Sequence, residues 1–252
     1  MKVVVLAAGY ATRLYPLTLD RPKALLPVGA RPMIEHVLDR VLAIREIDRV
    51  YVATNSKFAG QFREWAARYE HGPDRPPLTI VDDGTTDDET KLGAIGDLDL
   101  VIGQERIDDD LVVVAGDNLF SESLADFGRV ARERNAPVLA VYDVGSLDEI
   151  RKYNAIVVDE DGRITYFEEK PSEPASTLTG IALYFYPRSM LPLVRSYVAE
   201  GNNADQPGRL VEWLYTRTPV YTWTVPGRWY DIGSEETLRE AERVFAAQAD
   251  QS

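Results

Sequence analysis

The chain has 252 residues and a formal net charge of −13, so neither nucleic acid nor an anionic membrane is expected as a partner. It contains no cysteine, which excludes disulfides and thiolate metal sites, and no run of about 18 apolar residues, so no transmembrane helix is expected. The amino-terminal residues show no signal-peptide pattern, and we expect a cytoplasmic protein whose residues 1–252 fold as a single domain.

The first half of the chain alternates short apolar runs with amphipathic stretches. The runs predict buried strands at 3–6, 49–53, 78–81, 111–115 and 137–142, and the stretches predict helices at 33–45, 58–70, 92–103 and 122–135. Such alternation is typical of right-handed βαβ units. It predicts an α/β fold with a Rossmann-like, doubly wound, mostly parallel sheet, in which ligands lie beyond the carboxyl ends of the strands.

The second half changes character after about residue 145. Predicted strands at 155–158, 164–167 and 178–186 are separated by turn-forming residues, which favours antiparallel additions to the sheet. Further predicted elements are helices at 187–199 and 206–217, a strand at 219–225, and a final helix at 234–247 with Ser234 as its N-cap. We therefore expect one domain with two halves, residues 1–145 and 146–252.

The first predicted strand leads into a turn of small residues that ends on a basic side chain. Backbone N–H groups can approach an anion closely where side chains are small, and Arg13 and Lys23 can add positive charge. An ordinary tight strand-to-helix connection has the same local pattern. The segment therefore predicts a phosphate site. Its wall would be formed by Leu6, Ala8, Gly9, Tyr10, Ala11 and Thr12.

Two aspartates have the placement of metal ligands. Asp117 directly follows the predicted strand at 111–115, and Asp231 precedes the final helix. Mg²⁺ prefers a few carboxylates together with phosphate oxygens and water. An aspartate at a strand end is also a common turn former, so the residues alone leave both roles open.

Four motifs in chain order carry a resemblance to a known family. They are residues 6–18 with 22–28, Ala115-Gly116-Asp117-Asn118, Phe167-Glu168-Glu169-Lys170-Pro171 with Thr179-Gly180, and Trp229-Tyr230-Asp231-Ile232-Gly233. Together they resemble the signature of the sugar-1-phosphate nucleotidyltransferases, the family that includes glucose-1-phosphate thymidylyltransferase. The resemblance extends from Met1 to about Ala247.

This resemblance implies roles for the charged residues of the motifs. Asp117 and Asp231 would hold a catalytic Mg²⁺, and Arg13 and Lys23 would bind the nucleotide phosphates. Lys170 would bind the phosphate of the sugar phosphate. The first half of the chain would then bind the nucleotide and the second half the sugar phosphate.

Other sugar contacts are implied in the second half. Glu169 would accept hydroxyl groups of the sugar ring, and Asn154, Thr179 and Gly180 would complete the sugar-phosphate site. Asn154 stands where thymidylyltransferases commonly have glycine.

The implied reaction is nucleotidyl transfer from an NTP to a sugar 1-phosphate. The phosphate monoester is already largely ionised at neutral pH, so no side-chain nucleophile is needed and the task is positioning and charge neutralisation. His36 is expected in packing and His71 at the surface. Family frequency favours dTTP or UTP, and glucose 1-phosphate, as substrates; a homo-oligomer is compatible with the sequence.

The segment expected to contact the nucleobase departs furthest from the family. It lacks the Gln-Pro pair seen in thymidylyltransferases and is acidic at residues 87–89. Gly93 with Ala94 could let a base lie flat against backbone, while Thr85 with Thr86 could bond its edge. In the turn, Ala8 and Ala11 replace two family glycines, although a Cβ disfavours positive φ. CTP and GTP therefore stay open as donors.

Three alternative functions share features with this sequence. A cytidylyltransferase acting on another phosphorylated alcohol shares the first motif, but the motif around Lys170 favours a sugar. A catalytically silent sensor would lack at least one charged motif residue, whereas all are present. A dinucleotide-dependent oxidoreductase needs a Gly-x-Gly-x-x-Gly turn, and Gly9 has no such partners.

Overall fold

The computed structural model describes residues 1–69 and 75–249, so His71 lies outside the described residues. Its strands are β1 (Lys2–Leu6), β2 (Pro27–Val28), β3 (Arg31–Pro32), β4 (Arg49–Thr54), β5 (Leu78–Asp82), β6 (Leu111–Ala115), β7 (Asn118–Phe120), β8 (Val138–Asp143), β9 (Asn154–Val158), β10 (Ile164–Glu169), β11 (Leu178–Tyr186), β12 (Tyr221–Thr224) and β13 (Trp229–Asp231).

The helices alternate with these strands. They are α1 (Met33–Val41), α2 (Ala59–Arg68), α3 (Ala94–Gln104), α4 (Ala125–Arg134), α5 (Leu147–Ile150), α6 (Leu191–Ala199), α7 (Gly208–Leu214) and α8 (Glu235–Ala249), with short 3₁₀ turns at Thr12–Leu14, Lys23–Leu25 and Arg188–Met190. The Ser234 hydroxyl accepts a hydrogen bond from the Thr237 N–H at 3.2 Å, which confirms the predicted cap of α8. No helix in the described ranges has the length and apolar character needed to cross a bilayer.

The central sheet has the order β12-β8-β11-β6-β1-β4-β5 within the described residues. β1 pairs in parallel with β4 and β6, β4 pairs in parallel with β5, and β12 pairs in parallel with β8. β11 alone in this sheet runs antiparallel, between β6 and β8. The predicted mostly parallel, doubly wound sheet is confirmed, and strands from both halves of the chain take part in it.

Both faces of this sheet are buried, which explains why its strands are continuous apolar runs. Along β1, Val3 and Val5 belong to one core with Phe62 of α2, whereas Val4 belongs to the other core with Leu98 of α3. Because successive side chains point to opposite faces, helices must cover both sides. The carboxyl ends of β1 and β6 are left as the open edge of the fold.

The prediction that β9 and β10 extend the main sheet is wrong. They pair with each other as a separate antiparallel ribbon. Their connection closes tightly, with the Gly162 N–H donating to the Asp159 carbonyl at 3.0 Å and Gly162 at φ 76°. The ribbon is tied to β11 by the Asn154 side chain, whose amide donates to the Gly180 carbonyl at 3.1 Å and accepts from the Gly180 N–H at 2.7 Å.

A second ribbon was not predicted at all. β7 pairs antiparallel with β13, so that Asn118 lies opposite Asp231 and Phe120 opposite Trp229. Each strand has three residues, too few for a recognisable periodicity in the sequence. This pairing places the two candidate metal ligands, Asp117 and Asp231, next to each other.

Gly93, directly before α3, packs closely against the loop at Ala204 and Asp205, and a substitution tests this contact. Gly93 has φ +78°, and a Cβ there would lie 2.6 Å from the Ala204 carbonyl oxygen and 2.6 Å from the Asp205 Cα. Gly93→Ala should therefore lose about 2 to 4 kcal/mol of unfolding free energy in urea titrations, because strain and a backbone clash add.

Gly60→Ala is the matched control. Gly60 lies within α2, and nothing is within 4 Å of its added Cβ, so this change should be neutral or stabilise by up to about 1 kcal/mol. Equal stability of the two variants would contradict the described contact between Gly93 and the loop at Ala204.

Candidate active site

A cavity of about 640 Å³ opens at the carboxyl ends of β1 and β6. Thirteen of the predicted site residues line it: Leu6, Ala8, Gly9, Tyr10, Ala11, Thr12, Arg13, Lys23, Gly93, Asp117, Glu169, Lys170 and Asp231. Four others, Thr85, Asn154, Thr179 and Gly180, do not belong to its wall. Residues that the sequence reasoning had given no role also line it: Leu14, Asp88, Lys91, Asp97, Ala115, Asp205, Gln206, Pro207 and Gly233.

The turn after β1 adopts the left-handed conformation in spite of its alanine. Ala11 has φ 49° and ψ 44°, and its carbonyl accepts from the Thr18 hydroxyl at 2.7 Å and the Leu14 N–H at 3.0 Å. A left-handed non-glycine residue costs roughly 1 to 2 kcal/mol, which these bonds help to offset. The conformation starts the 3₁₀ turn that carries Arg13.

Asn55 supports the same turn from below. It is fully buried, its amide donates to the Ala8 carbonyl at 2.7 Å, and its oxygen accepts from the Phe58 N–H at 3.1 Å. The side chain therefore links the turn after β1 to the start of α2. The sequence signal for this role was an Asn directly after a buried strand.

Asp117 is held in its ionised form. The Lys23 ammonium donates to Asp117 Oδ2 at 2.5 Å, and the Asn118 amide donates to Asp117 Oδ1 at 3.0 Å. Burial alone would raise the pKa of Asp117, but the charge and hydrogen bond of Lys23 outweigh it and lower the pKa below its usual value. The Trp229 indole N–H donates to Asn118 Oδ1 at 2.7 Å and fixes that amide.

Asp231 has the opposite electrostatic environment. Burial, followed by the negative charge of Asp117, raises the pKa of Asp231 to about 6, while Lys23 and Arg13 act against this shift. Among the described residues, none donates a hydrogen bond to its carboxylate. Two adjacent carboxylates, one of them without a partner, form a donor set that suits a hard divalent cation.

The rest of the described chain offers no competing metal site. None of its residues form a group of three or more His, Cys, Asp or Glu side chains that could hold an ion. Mg²⁺ needs only one or two carboxylates when a substrate supplies phosphate oxygens. Asp117 and Asp231 therefore fit Mg²⁺ better than they fit a fully protein-ligated ion.

Glu169 and Lys170 lie at the end of β10, on the cavity wall. Lys170 has φ 51°, and its N–H donates to the Tyr153 carbonyl at 2.7 Å, which fixes the direction in which the chain leaves the strand. Burial raises the pKa of Glu169, although the charges of Arg209 and Lys170 partly offset this effect. Gly208 faces the carboxylate so closely that a Cβ would lie 2.5 Å from Glu169 Oε2.

The four predicted site residues outside the wall have other contacts. The Asn154 amide is engaged by Gly180 as described above, and the fully buried Thr179 donates its hydroxyl to Asn154 Oδ1 at 3.3 Å. Thr85 is buried, and its hydroxyl bonds to the Tyr10 hydroxyl at 3.0 Å and to Asp83 at 2.8 Å. Thr85 thus contacts Tyr10 of the wall, whereas Asn154 and Thr179 help to tie the β9–β10 ribbon to β11.

The cavity wall does not concentrate positive charge. Its basic residues are Arg13, Lys23, Lys91 and Lys170, and its acidic residues are Asp88, Asp97, Asp117, Glu169, Asp205 and Asp231. Burial raises the pKa of Asp97, Glu169 and Asp231, which lowers the negative charge that these carboxyl groups place on the wall. A polyphosphate in this cavity would require an accompanying cation.

Comparison with known proteins gives one family and several relatives. A family model described as Nucleotidyl transferase matches residues 2–248. UTP–glucose-1-phosphate uridylyltransferase AglF of Haloferax volcanii is 29% identical over 192 residues, covering 74% of this chain and 72% of that protein. The mannose-1-phosphate guanyltransferase of Debaryomyces hansenii is 30% identical over 248 residues, covering 92% of this chain and 61% of that protein.

Longer relatives and solved structures extend the comparison. The bifunctional protein GlmU of Methanocaldococcus jannaschii is 22% identical over 245 residues, covering 97% of this chain but 54% of that protein. The chain thus spans less than two thirds of the Debaryomyces and Methanocaldococcus relatives. The structure of UDP-glucose pyrophosphorylase complexed with UDP-glucose matches with a TM-score of 0.81 at 20% identity, covering 98% of each chain, which establishes a shared fold.

Asp97, a buried acid on the cavity wall, should make the free energy of unfolding depend on pH. Burial, the charge of Asp83 and a hydrogen bond to it, and the charge of Asp205 together raise the pKa of Asp97 from 3.8 to about 8. The folded chain therefore keeps a proton that the unfolded chain releases near pH 4, so this group favours folding at low pH and loses that effect as pH rises to about 8.

Asp97→Asn removes the titration while keeping the size of the side chain. The unfolding free energy of the wild type minus that of Asp97→Asn should fall by about 1.4 kcal/mol per pH unit between pH 4 and 8 and then level off. Urea titrations of both proteins at pH 5, 7 and 9 measure this difference, in which the titrating groups that do not interact with Asp97 cancel. A difference independent of pH would show that Asp97 is ionised in the folded protein at pH 5.

Proposed function

We propose a reaction for this chain from one premise: the chain belongs to the nucleotidyl transferase family. The proposed reaction transfers a nucleotidyl group from an NTP to a sugar 1-phosphate. An oxygen of the sugar phosphate attacks the α-phosphorus, the bond from that phosphorus to the oxygen of pyrophosphate breaks, and an NDP-sugar forms. The observation that carries the proposal is one cavity that collects Arg13, Lys23, Asp117, Lys170 and Asp231.

Arg13 and Lys23 are proposed to bind the triphosphate. Arg13 follows the turn that lines the cavity, and its charge acts on Asp231. Lys23 is bonded to Asp117, so its ammonium is positioned before substrate arrives. Preorganised charge of this kind stabilises the developing charge of a phosphoryl transition state without reorganisation.

Asp117 and Asp231 are the residues proposed to hold Mg²⁺. When bound, the ion would neutralise phosphate charge and offset the repulsion between the two carboxylates. Lys23 keeps Asp117 ionised and thus ready as a ligand, whereas Asp231, with its pKa of about 6, is largely ionised at neutral pH.

The sugar phosphate is proposed to lie at Lys170 and Glu169. The Lys170 ammonium would bind the phosphate, and the Glu169 carboxylate would accept hydroxyl protons of the ring, since both line the same wall as Asp231. The Haloferax relative is named for glucose 1-phosphate and the Debaryomyces relative for mannose 1-phosphate. These names support a hexose 1-phosphate, and glucose 1-phosphate is the first acceptor to test.

A pyrophosphate-release assay tests the reaction itself. Purified protein with Mg²⁺, a panel of NTPs and several sugar 1-phosphates should release pyrophosphate and form the matching NDP-sugar. Omission of the sugar phosphate is the control and should abolish release. Absence of product from every combination, with the protein shown to be folded, would overturn the proposed reaction.

The two aspartates allow a sharper test of the shared cation. Asp117→Asn and Asp231→Asn should each lower turnover by about 10²-fold or more, because each removes a ligand of the main electrostatic stabiliser. Since both would act through one ion, the double variant should lose much less than the product of the single losses. If the double variant instead loses turnover by the full product of the two single losses, the two carboxylates serve separate sites.

A further inference from the structure

A second cavity lies between residues 21–32 and helix α2, and it shares no lining residue with the active-site cavity. Its volume is about 490 Å³, which falls within the range of about 300 to 1,000 Å³ that small-molecule sites occupy. Apolar side chains form half of its wall: Leu25, Pro27, Ala30, Pro32 and Trp65. The proposed mechanism gives this cavity no role.

The charged part of this wall consists of three arginines and one carboxylate, Glu64. Arg31 is neutralised by two carboxylates of α1, at 3.1 and 2.8 Å. Within the described residues, Arg21 forms neither a hydrogen bond nor an ion pair, and Arg68 only donates its Nε–H to the Glu64 carbonyl at 3.2 Å. The chain has 41 acidic residues against 28 basic ones, yet these two arginines have no carboxylate partner there, and the wall is left positively charged.

Side-chain contacts hold this wall in place. Trp65 is 6% exposed, its indole N–H donates to Glu35 Oε1 at 3.0 Å, and its ring centroid lies 5.2 Å from that of Tyr69. The Gln61 amide, also on the wall, donates to the Asp20 carbonyl at 2.8 Å and so joins α2 to the opposite side of the cavity. A wall that is fixed before binding lowers the entropic cost of binding. Guanidinium groups bind phosphate oxygens, and the apolar surface can contact a carbon skeleton.

One 3₁₀ turn, Lys23–Leu25, connects the two cavities. Lys23 lines the active site and bonds to Asp117 at 2.5 Å, whereas Leu25 lines the second cavity. The turn is closed by the Leu25 N–H, which donates to the Pro22 carbonyl at 2.9 Å, and by the Leu26 N–H, which donates to the Lys23 carbonyl at 3.0 Å. A molecule that contacts Leu25 therefore contacts the element that positions the Lys23 ammonium.

We propose that the second cavity binds a small phosphorylated organic molecule and that this molecule changes the affinity of the active site for an NTP. The phosphate would bind to Arg21 and Arg68, and the carbon skeleton would contact Leu25 and Trp65. The effect on the NTP would pass through the turn Lys23–Leu25, since Lys23 is proposed to bind the triphosphate. Only this effect rests on the proposed function; binding in the second cavity does not.

Calorimetric titration with AMP, glucose 6-phosphate and inorganic phosphate tests the site. AMP or glucose 6-phosphate should bind the wild type with a Kd below about 1 mM, and the tighter of the two identifies the occupant as a nucleotide or a sugar phosphate. Inorganic phosphate should bind more weakly, because it cannot contact the apolar wall. Arg68→Gln and Arg21→Gln should each weaken the tighter probe by about 10- to 150-fold, the cost of a lost charge-assisted hydrogen bond. Arg63→Gln is the matched control and should keep the wild-type affinity, since Arg63 lies on α2 but not on this wall.

The second measurement is the affinity for NTPs, with Mg²⁺, in the presence and absence of the tighter probe. The probe should change the affinity of the wild type and of Arg63→Gln for an NTP by about 5-fold or more, and the NTP should change the affinity for the probe by the same factor. Without the probe, Arg68→Gln should bind the NTP as the wild type does. At the probe concentration that acts on the wild type, Arg68→Gln should show no effect, whereas a probe that competes within the active site would act equally on both.

The two measurements have separate contradicting results. The site is overturned if neither organic probe binds the folded wild type, if inorganic phosphate binds most tightly, or if both arginine variants keep the wild-type affinity. Probe binding that leaves NTP affinity unchanged, or that acts equally on Arg68→Gln, would overturn the effect on the active site. Failure to bind any NTP would overturn the proposed function, while the probe titration would still decide whether the second cavity is a binding site.

Discussion

The close placement of Asp117 and Asp231 is the constraint on which the site depends. Two carboxylates cannot both stay ionised at low cost in a buried cavity unless positive charge lies between or beside them. Lys23 supplies that charge to Asp117, and Asp231 is left without a donor and with a raised pKa. In the described chain, Lys23 thus balances the charge of one carboxylate of the pair and leaves the other unbalanced. A divalent cation that carries phosphate ligands would balance the remaining negative charge.

The fold brings these groups together through backbone pairing. The β7–β13 ribbon sets Asn118 opposite Asp231, and the Trp229 indole and Asn118 amide then orient the Asp117 carboxylate. The parallel strands beneath are buried on both faces and so are held rigidly, which keeps the turn after β1 in place. The cavity is therefore formed by short irregular segments that are fixed by a regular sheet.

The sheet could be predicted from the sequence because its strands are long apolar runs. Most residues of the cavity wall could be predicted because they lie in contiguous motifs. Sequence reasoning missed β7 and β13, since three-residue strands have no period, and it placed β9 and β10 in the main sheet because a hairpin and a sheet strand have the same alternation. Asp97 was missed because a single acid in a predicted helix normally faces solvent. Its position within the apolar spacing of Ile95, Leu98 and Val101 was the available signal.

Diffraction from crystals grown with Mn²⁺ in place of Mg²⁺ and an unreactive NTP analogue would test the central claim most directly. Mn²⁺ gives an anomalous signal that locates the ion. The account predicts one peak within about 2.1 Å of an oxygen from each of Asp117 and Asp231, with the remaining positions filled by phosphate oxygens and water. A peak that contacts neither carboxylate, or two separate peaks that each contact one of them, would contradict it.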